Sequence, residues 1–164
     1  MDYPAGGFFV RDPRCDPRWG RAQGLIILGY VRAEPLYTAY RHIVNTVLRP
    51  EFEHEKEYIV HVDKLVVDEF LEQMAQGLVI LGRKTKPAIT QKQNDHAFRI
   101  VLTEGRNRQI RRMCEELDYR VTALKRVRIL NIVLGKLPVG AWRPLRKEEQ
   151  RTLFHLLNYK PSRR

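Results

Sequence analysis

Ten residues of the chain, Glu104 to Met113 with the sequence EGRNRQIRRM, carry four arginines: Arg106, Arg108, Arg111 and Arg112. Gly105 offers a turn and Asn107 a helix cap. After them Ile110, Met113, Cys114 and Leu117 recur at the i, i+3, i+4, i+7 spacing of one helical face. Arg108, Arg111 and Arg112 repeat the i, i+3, i+4 relation on a neighbouring face, so three guanidinium groups project from the first turns of one helix. Cations near a helix N-terminus oppose its dipole at a cost of about 0.3 to 1 kcal/mol each, so helix stability does not explain them. An anion does. The competing reading is a solvated basic face paired with Glu104, Glu115 and Glu116; it is weakened because the two later glutamates stand toward the far end of the helix.

The rest of the chain is consistent with an anionic partner. With 164 residues, 43% of them hydrophobic, it can bury one core, which makes one domain the default. The formal net charge of +11 calls for a polyanion. Nucleic acid is favoured over a membrane surface, because the longest apolar run, Gly24 to Gly29, is too short to span a bilayer. Cys15 and Cys114 make neither a metal-ligand spacing nor a disulfide framework, and His42, His54, His61, His96 and His155 are scattered, so no metal is expected. No charged-then-apolar leader opens the chain, and a cytoplasmic location is expected.

These groups need elements to hold them. Residues 1–23 mix Pro, Gly, Arg and isolated aromatics without period and are expected to be irregular; residues 24–158 form the domain and 159–164 a basic tail. GLIILGYV reads as a buried strand and LYTAYRHIVNTVL as a helix ended by Pro50. KEYIVHVD alternates like a half-buried strand, DEFLEQMAQG is an acidic helix closed by Gly77, and LVIL, KPAIT and AFRIVLTE are further strands. YRVTALKRVRILNIVLG reads as one long strand, with Val121, Ala123, Val127 and Ile129 on a core face and Arg120, Thr122, Arg126 and Arg128 on a basic one. KEEQRTLFHLL closes the domain as an amphipathic helix. Between Glu104 and Arg128 lie eight basic residues against four acidic ones, which places the anion site in the C-terminal half.

Three of these segments carry a family resemblance. HEKEYIVHVD, TEGRNRQIRRMCEELDYRVTALKRVRI and GAWRPLRKEE occur in the order and approximate spacing of the catalytic domain of bacterial ribosomal-RNA pseudouridine synthases of the RsuA/RluB/RluE/RluF family, closest to its large-subunit branch. The likeness covers about residues 46 to 156. It implies an α+β domain with a mixed, largely antiparallel sheet, flanking helices and a basic cleft. It also implies isomerisation of uridine to pseudouridine in 23S-type rRNA by a monomer, without cofactor or membrane.

The resemblance also implies roles. Tyr58 of the KEY motif would stack on the target base, and Arg111 would pair with the catalytic carboxylate, with Arg106 or Arg108 as alternatives for that task. Arg106, Arg108, Arg112, Lys125, Arg126 and Arg128 would hold RNA. The family's aspartate stands in a segment like GRLDxxTxGLLLL, a few residues before the Gly-Leu of a buried strand. Counting back five residues from Gly24 reaches Trp19, and the nearest carboxylates are Asp16 and Asp12. The amino-terminal RNA-binding module of such enzymes is not matched either. The chain therefore reads as an altered or truncated member in which Asp16 is a substitute acid and turnover is slow; the rival reading is an RNA-binding relic or ribosome assembly factor that has lost the chemistry.

Overall fold

The structure, a computed structural model, describes residues 53–137 and 142–158, the backbone of two strands at 7–11 and 26–30, and the buried helical residue Val47. Among the described residues ten strands and three helices are defined at both ends, in the order β1 (Gly7–Arg11), β2 (Ile26–Tyr30), β3 (Lys56–Val62), α1 (Asp68–Gln76), β4 (Val79–Ile80), β5 (Arg83–Lys84), β6 (Ile89–Asn94), β7 (Ala97–Leu102), α2 (Gln109–Glu116), β8 (Val121–Ile129), β9 (Ile132–Val133), β10 (Trp142–Pro144) and α3 (Lys147–Leu156). The central sheet has the order β6-β7-β3-β8-β9, a second sheet the order β10-β1-β2, and β4-β5 is a hairpin. Every described pairing is antiparallel, as expected of this α+β domain.

β3 and β7 sit at the centre because both carry large apolar residues on the face that meets the helices. Lys56, Tyr58 and Val60 stand opposite Leu102, Ile100 and Phe98, so all six share that face. Val60, Phe98 and Ile100 are fully buried there beneath Phe70 and Met74 of α1 and Ile110, Met113 and Cys114 of α2. Each such side chain contributes roughly 1.5 to 3 kcal/mol. Phe70 meets Phe98 edge-on, with ring centroids 5.2 Å apart. A smaller cluster of Ile129, Ile132, Leu134, Leu145 and Leu153 fastens α3 to the end of β8.

Several elements depart from expectation. Gly7–Arg11, inside the segment expected to be irregular, is a strand that pairs with both β2 and β10. The long strand after Tyr119 is a hairpin: Leu130 adopts a left-handed φ of 50° and β8 folds back on β9. Asn107 does not cap α2. That position belongs to Arg108, itself left-handed at φ 53°, with no side-chain cap. The LYTAYRHIVNTVL helix, apart from Val47, and the 159–164 tail lie outside the described residues.

β8 does not keep a single alternation. Glu57 pairs with Arg128 but Tyr58 with Arg126, so Val127 is an extra residue, and a second shift falls between Ala123 and Val121. The two bulges rearrange the faces. Leu124, Arg126 and Ile129 share the helix-covered face with Val60, Tyr58 and Lys56, whereas Ala123, Lys125 and Arg128 lie on the opposite face with His61, Ile59 and Glu57. The expected grouping of Arg126 with Arg128 is therefore corrected.

Candidate nucleic-acid cleft and active site

A cleft of about 270 Å³ opens where α2 leaves the sheet, lined by Tyr58, Leu102 and Leu124 from the strands and by residues 104–106 and 108–111. Its size is near the lower end of the roughly 300 to 1,000 Å³ of small-ligand sites, which suits a single nucleobase. The ring of Tyr58 packs partly against the core cluster and partly faces the cleft. Arg106, Arg108 and Arg111 line the same space. Arg111 is held by an Nη1 bond to the Val121 carbonyl at 3.1 Å, which spans from α2 to the start of β8. Among the described residues no carboxylate forms an ion pair with it. Asp16, Asp12 and Trp19 all lie outside the described residues.

The loop before α2 is shaped by a buried acid. Glu104 accepts the Lys86 amide at 3.0 Å and Gln109 Nε2 at 2.6 Å, and its other oxygen lies 3.2 Å from the Arg106 guanidinium. Gln109 Oε1 in turn accepts the Arg106 amide at 3.0 Å. Burying a carboxylate and an amide in this way is tolerable because each finds hydrogen-bond partners. The result is a closed turn that sends Arg108 and Arg111 into the cleft. Sequence reading named Glu104 only as a possible partner of the arginines, a pairing it makes with Arg106, and missed Gln109, although a glutamine three residues beyond the amide that it accepts is the spacing of a capping box.

The arginines are not equivalent. Arg106 donates to the carbonyls of Arg83 at 2.9 Å and Lys84 at 2.7 Å, so it ties the β4-β5 hairpin to the cleft wall. Arg112 bonds back to the Asn107 carbonyl at 3.2 Å. Arg108 stands 3.9 Å from Glu115, a loose exposed contact worth little. Arg128 is engaged by Glu57 at 2.7 Å, Glu55 at 3.0 Å and the Leu130 carbonyl at 2.8 Å. Lys125 lies on Arg128's face, away from Tyr58; Arg126 lies on Tyr58's face.

Two buried groups complete the surroundings. Lys56 donates to the His54 carbonyl at 2.9 Å, and a Cβ on Gly105 would stand 4.0 Å from its Cε, so it backs the cleft. Burial, and then the charge of Arg126, push its ammonium below the usual lysine value. Cys114 is core, as its helical face predicted, and burial pushes its thiol up to about 12, which leaves it inert at neutral pH.

The chain is similar to several known proteins. The dual-specificity RNA pseudouridine synthase RluF of Salmonella typhi is 46% identical over 136 residues, 83% of this chain and 44% of the relative. Over most of its length the chain is a homologue of the RluF and RluB pseudouridine synthases. RluF of Escherichia coli K12 is 43% identical over 141 residues, 86% of this chain and 46% of the relative. The ribosomal large subunit pseudouridine synthase B of Vibrio vulnificus is 32% identical over 133 residues, 78% of this chain and 42% of the relative. The chain thus spans a little under half the length of the curated relatives it matches. A crystal structure of a pseudouridylate synthase superposes with a TM-score of 0.75 at 23% identity, covering 93% of this chain and 76% of that one, a likeness of fold. No protein-family model matches the chain.

Proposed function

We propose that the chain is the catalytic portion of an RNA pseudouridine synthase, acting as a cytoplasmic monomer on uridine in 23S-type ribosomal RNA without cofactor or membrane. The observation that carries the reading is the convergence of Tyr58 and Arg111 on one base-sized cleft. In the reaction the N1–C1′ bond of uridine breaks, the base turns, C5 bonds to C1′, and the C5 proton leaves while N1 gains one. Tyr58 offers a face on which an extruded pyrimidine stacks, worth about 1 to 3 kcal/mol. Arg111, held by the Val121 carbonyl, keeps donors for the carboxylate that acts at the sugar.

Of the basic residues, Arg108, Arg112 and Arg126 best suit phosphates beside the cleft. Arg106 is tied to the β4-β5 hairpin, and Arg128 and Lys125 stand on the other face of the sheet from Tyr58, so their contacts with RNA are secondary. The family's acid is the open part of the site. A tryptophan at position 19 is neither a nucleophile nor a proton acceptor, and an aspartate three positions away in sequence stands up to roughly 10 Å off. Catalytic geometry tolerates about 1 Å. Slow turnover is therefore part of the proposal.

The test is release of tritium from rRNA labelled at uridine C5, comparing the chain, Asp16→Ala and a version with the GRLD segment restored. No release until the segment is restored is the expected result. Brisk release that vanishes in Asp16→Ala would make Asp16 the catalytic acid and remove the claim of slow turnover. RNA binding with no release even after restoration would favour the RNA-binding factor.

A further inference from the structure

The β4-β5 hairpin projects from the cleft wall as a fixed object. Ile80 is buried and seats β4 against α2. At its base Gly77 turns at φ 83° so close to its neighbour that a Cβ would stand 2.5 Å from the Thr85 carbonyl oxygen. The Thr85 amide donates to the Leu78 carbonyl at 2.8 Å, and the Leu78 amide donates to Thr85 Oγ1 at 3.0 Å. The outer arm is gripped by Arg106 through the Arg83 and Lys84 carbonyls. A hairpin of two residues per strand is marginal alone, so these bonds set its position.

Its tip is built against ordinary preference. Ile80 pairs with Arg83, which leaves Leu81 at φ 50° and Gly82 at φ 72° as the central residues of the turn. Such turns favour Asn or Gly at both positions, and leucine there costs more than either. Leu81 is nevertheless 72% exposed, and Val79, two residues back, is 58% exposed. Neither packing nor backbone preference accounts for a leucine at this point. Arg83 and Lys84 are also exposed, so the apolar tip is flanked by cations, and Arg106 and Arg108 line the cleft beside it.

We propose that this hairpin is an RNA wedge: Leu81 enters a base step next to the uridine held in the cleft, while Arg83 and Lys84 take the adjoining phosphates. The inference rests on the reading of the cleft as an RNA site. Extruding a base requires the neighbouring stack to open, and apolar side chains inserted between base steps open it. A rigid support is needed so that the step yields before the hairpin does. One leucine and one valine offer far less area than a protein interface of roughly 800 Å² per partner, and the cationic flanks favour a polyanion.

The experiment uses a short RNA hairpin whose loop contains uridine and whose stem carries 2-aminopurine beside the loop, with a single strand of the same composition as the second probe. Leu81→Asn suits the left-handed backbone, so it removes the apolar tip without a folding penalty. The unmodified chain should brighten the 2-aminopurine, and Leu81→Asn should abolish the brightening and weaken hairpin binding about tenfold while single-strand affinity holds. Arg83→Ser should weaken binding to both probes and lower the salt dependence. If Leu81→Asn brightens and binds like the unmodified chain, the wedge is wrong, although the cleft reading stands. If the unmodified chain binds neither probe, both fail. If Leu81→Asn instead abolishes self-association in sedimentation and leaves both probes unaffected, the tip meets a second copy and the wedge is overturned.

Discussion

Tyr58 and Arg126 stand directly opposite one another on β3 and β8, on the face that opens to the cleft, and they do so only because Val127 is the extra residue of a bulge. Arg128, which simple alternation would place beside Arg126, is turned to the other face and clasped by Glu57.

Arg126→Ala and Arg128→Ala should therefore separate. Arg126→Ala is expected to weaken RNA binding and reduce the log-log salt slope by about 0.7, the value of one phosphate on a single strand. Arg128→Ala should leave the slope unchanged and lower stability by about 1 to 3 kcal/mol, because Glu57 loses a charged partner in a half-buried place. Salt titrations of affinity and urea unfolding of both variants measure the difference.

Tyr58 has two parts that can be removed one at a time. Tyr58→Phe keeps the ring and should bind RNA as tightly as the unmodified chain, whereas Tyr58→Ala should lose about 5- to 150-fold in affinity, the range of one base stack. Equal losses in both would give the hydroxyl the binding role. Part of the ring packs on the core, so Tyr58→Ala should also unfold at lower urea, and Tyr58→Phe should not.

Gln109→Leu is similar in bulk and removes both bonds of the loop before α2. The Arg106 amide loses its partner, at about 1 to 3 kcal/mol for a group left unsatisfied, and Glu104 loses one of the two donors to its Oε1 but keeps the Lys86 amide. The expected result is lower stability together with weaker RNA binding, since the turn that aims Arg108 and Arg111 opens. Lower stability with unchanged affinity at a temperature where the variant stays folded would separate the clasp from the cleft.

Acid should weaken the fold in a defined window. The Arg99 guanidinium, and then that of Arg128, holds Glu57 below the usual carboxylate value; Arg143 does the same for Glu149, which it grips at 2.7 and 2.8 Å. A carboxyl depressed in the folded state stabilises fully above its unfolded value near 4.5 and loses that contribution as pH falls through the lower folded value. The contribution of these two carboxylates should thus be complete at neutrality, and urea midpoints should drop below about pH 4.5, with a smaller drop in Glu57→Gln. An identical acid limb in Glu57→Gln would locate the loss elsewhere.

How much of this could be read from residues alone follows from the range of the forces involved. β3, β7, α1 and α3 were legible because one face of each is apolar at a fixed period, and Gly77 marked its helix end through a backbone that leucine or alanine avoids. The cleft was legible in part: the spacing of Arg108 and Arg111 and the KEY segment indicated residues that do line one space. The β8 bulges were not, since an inserted residue leaves no mark in a binary pattern and changes only which side later residues take. Nor was the capture of Arg128, whose partner Glu57 lies 71 residues away. Leu130 and Arg108 in left-handed backbone were unforeseeable for a similar reason, because local preference argues against both and tertiary contacts decide.

The second sheet brings Phe9 of β1 opposite Pro144 of β10, so strands from distant parts of the chain lie side by side. Everything that forms the cleft lies within the loop so closed. Local units such as the β4-β5 hairpin and the β6-β7 pair gain contacts at little cost in chain entropy, whereas the β1-β10 seam must close a loop of more than a hundred residues. During synthesis β1 has β2 close behind it, but its other edge has no strand to meet until β10 follows. The seam is thus the pairing that asks most chain entropy of the fold, although it joins only three residues of each strand.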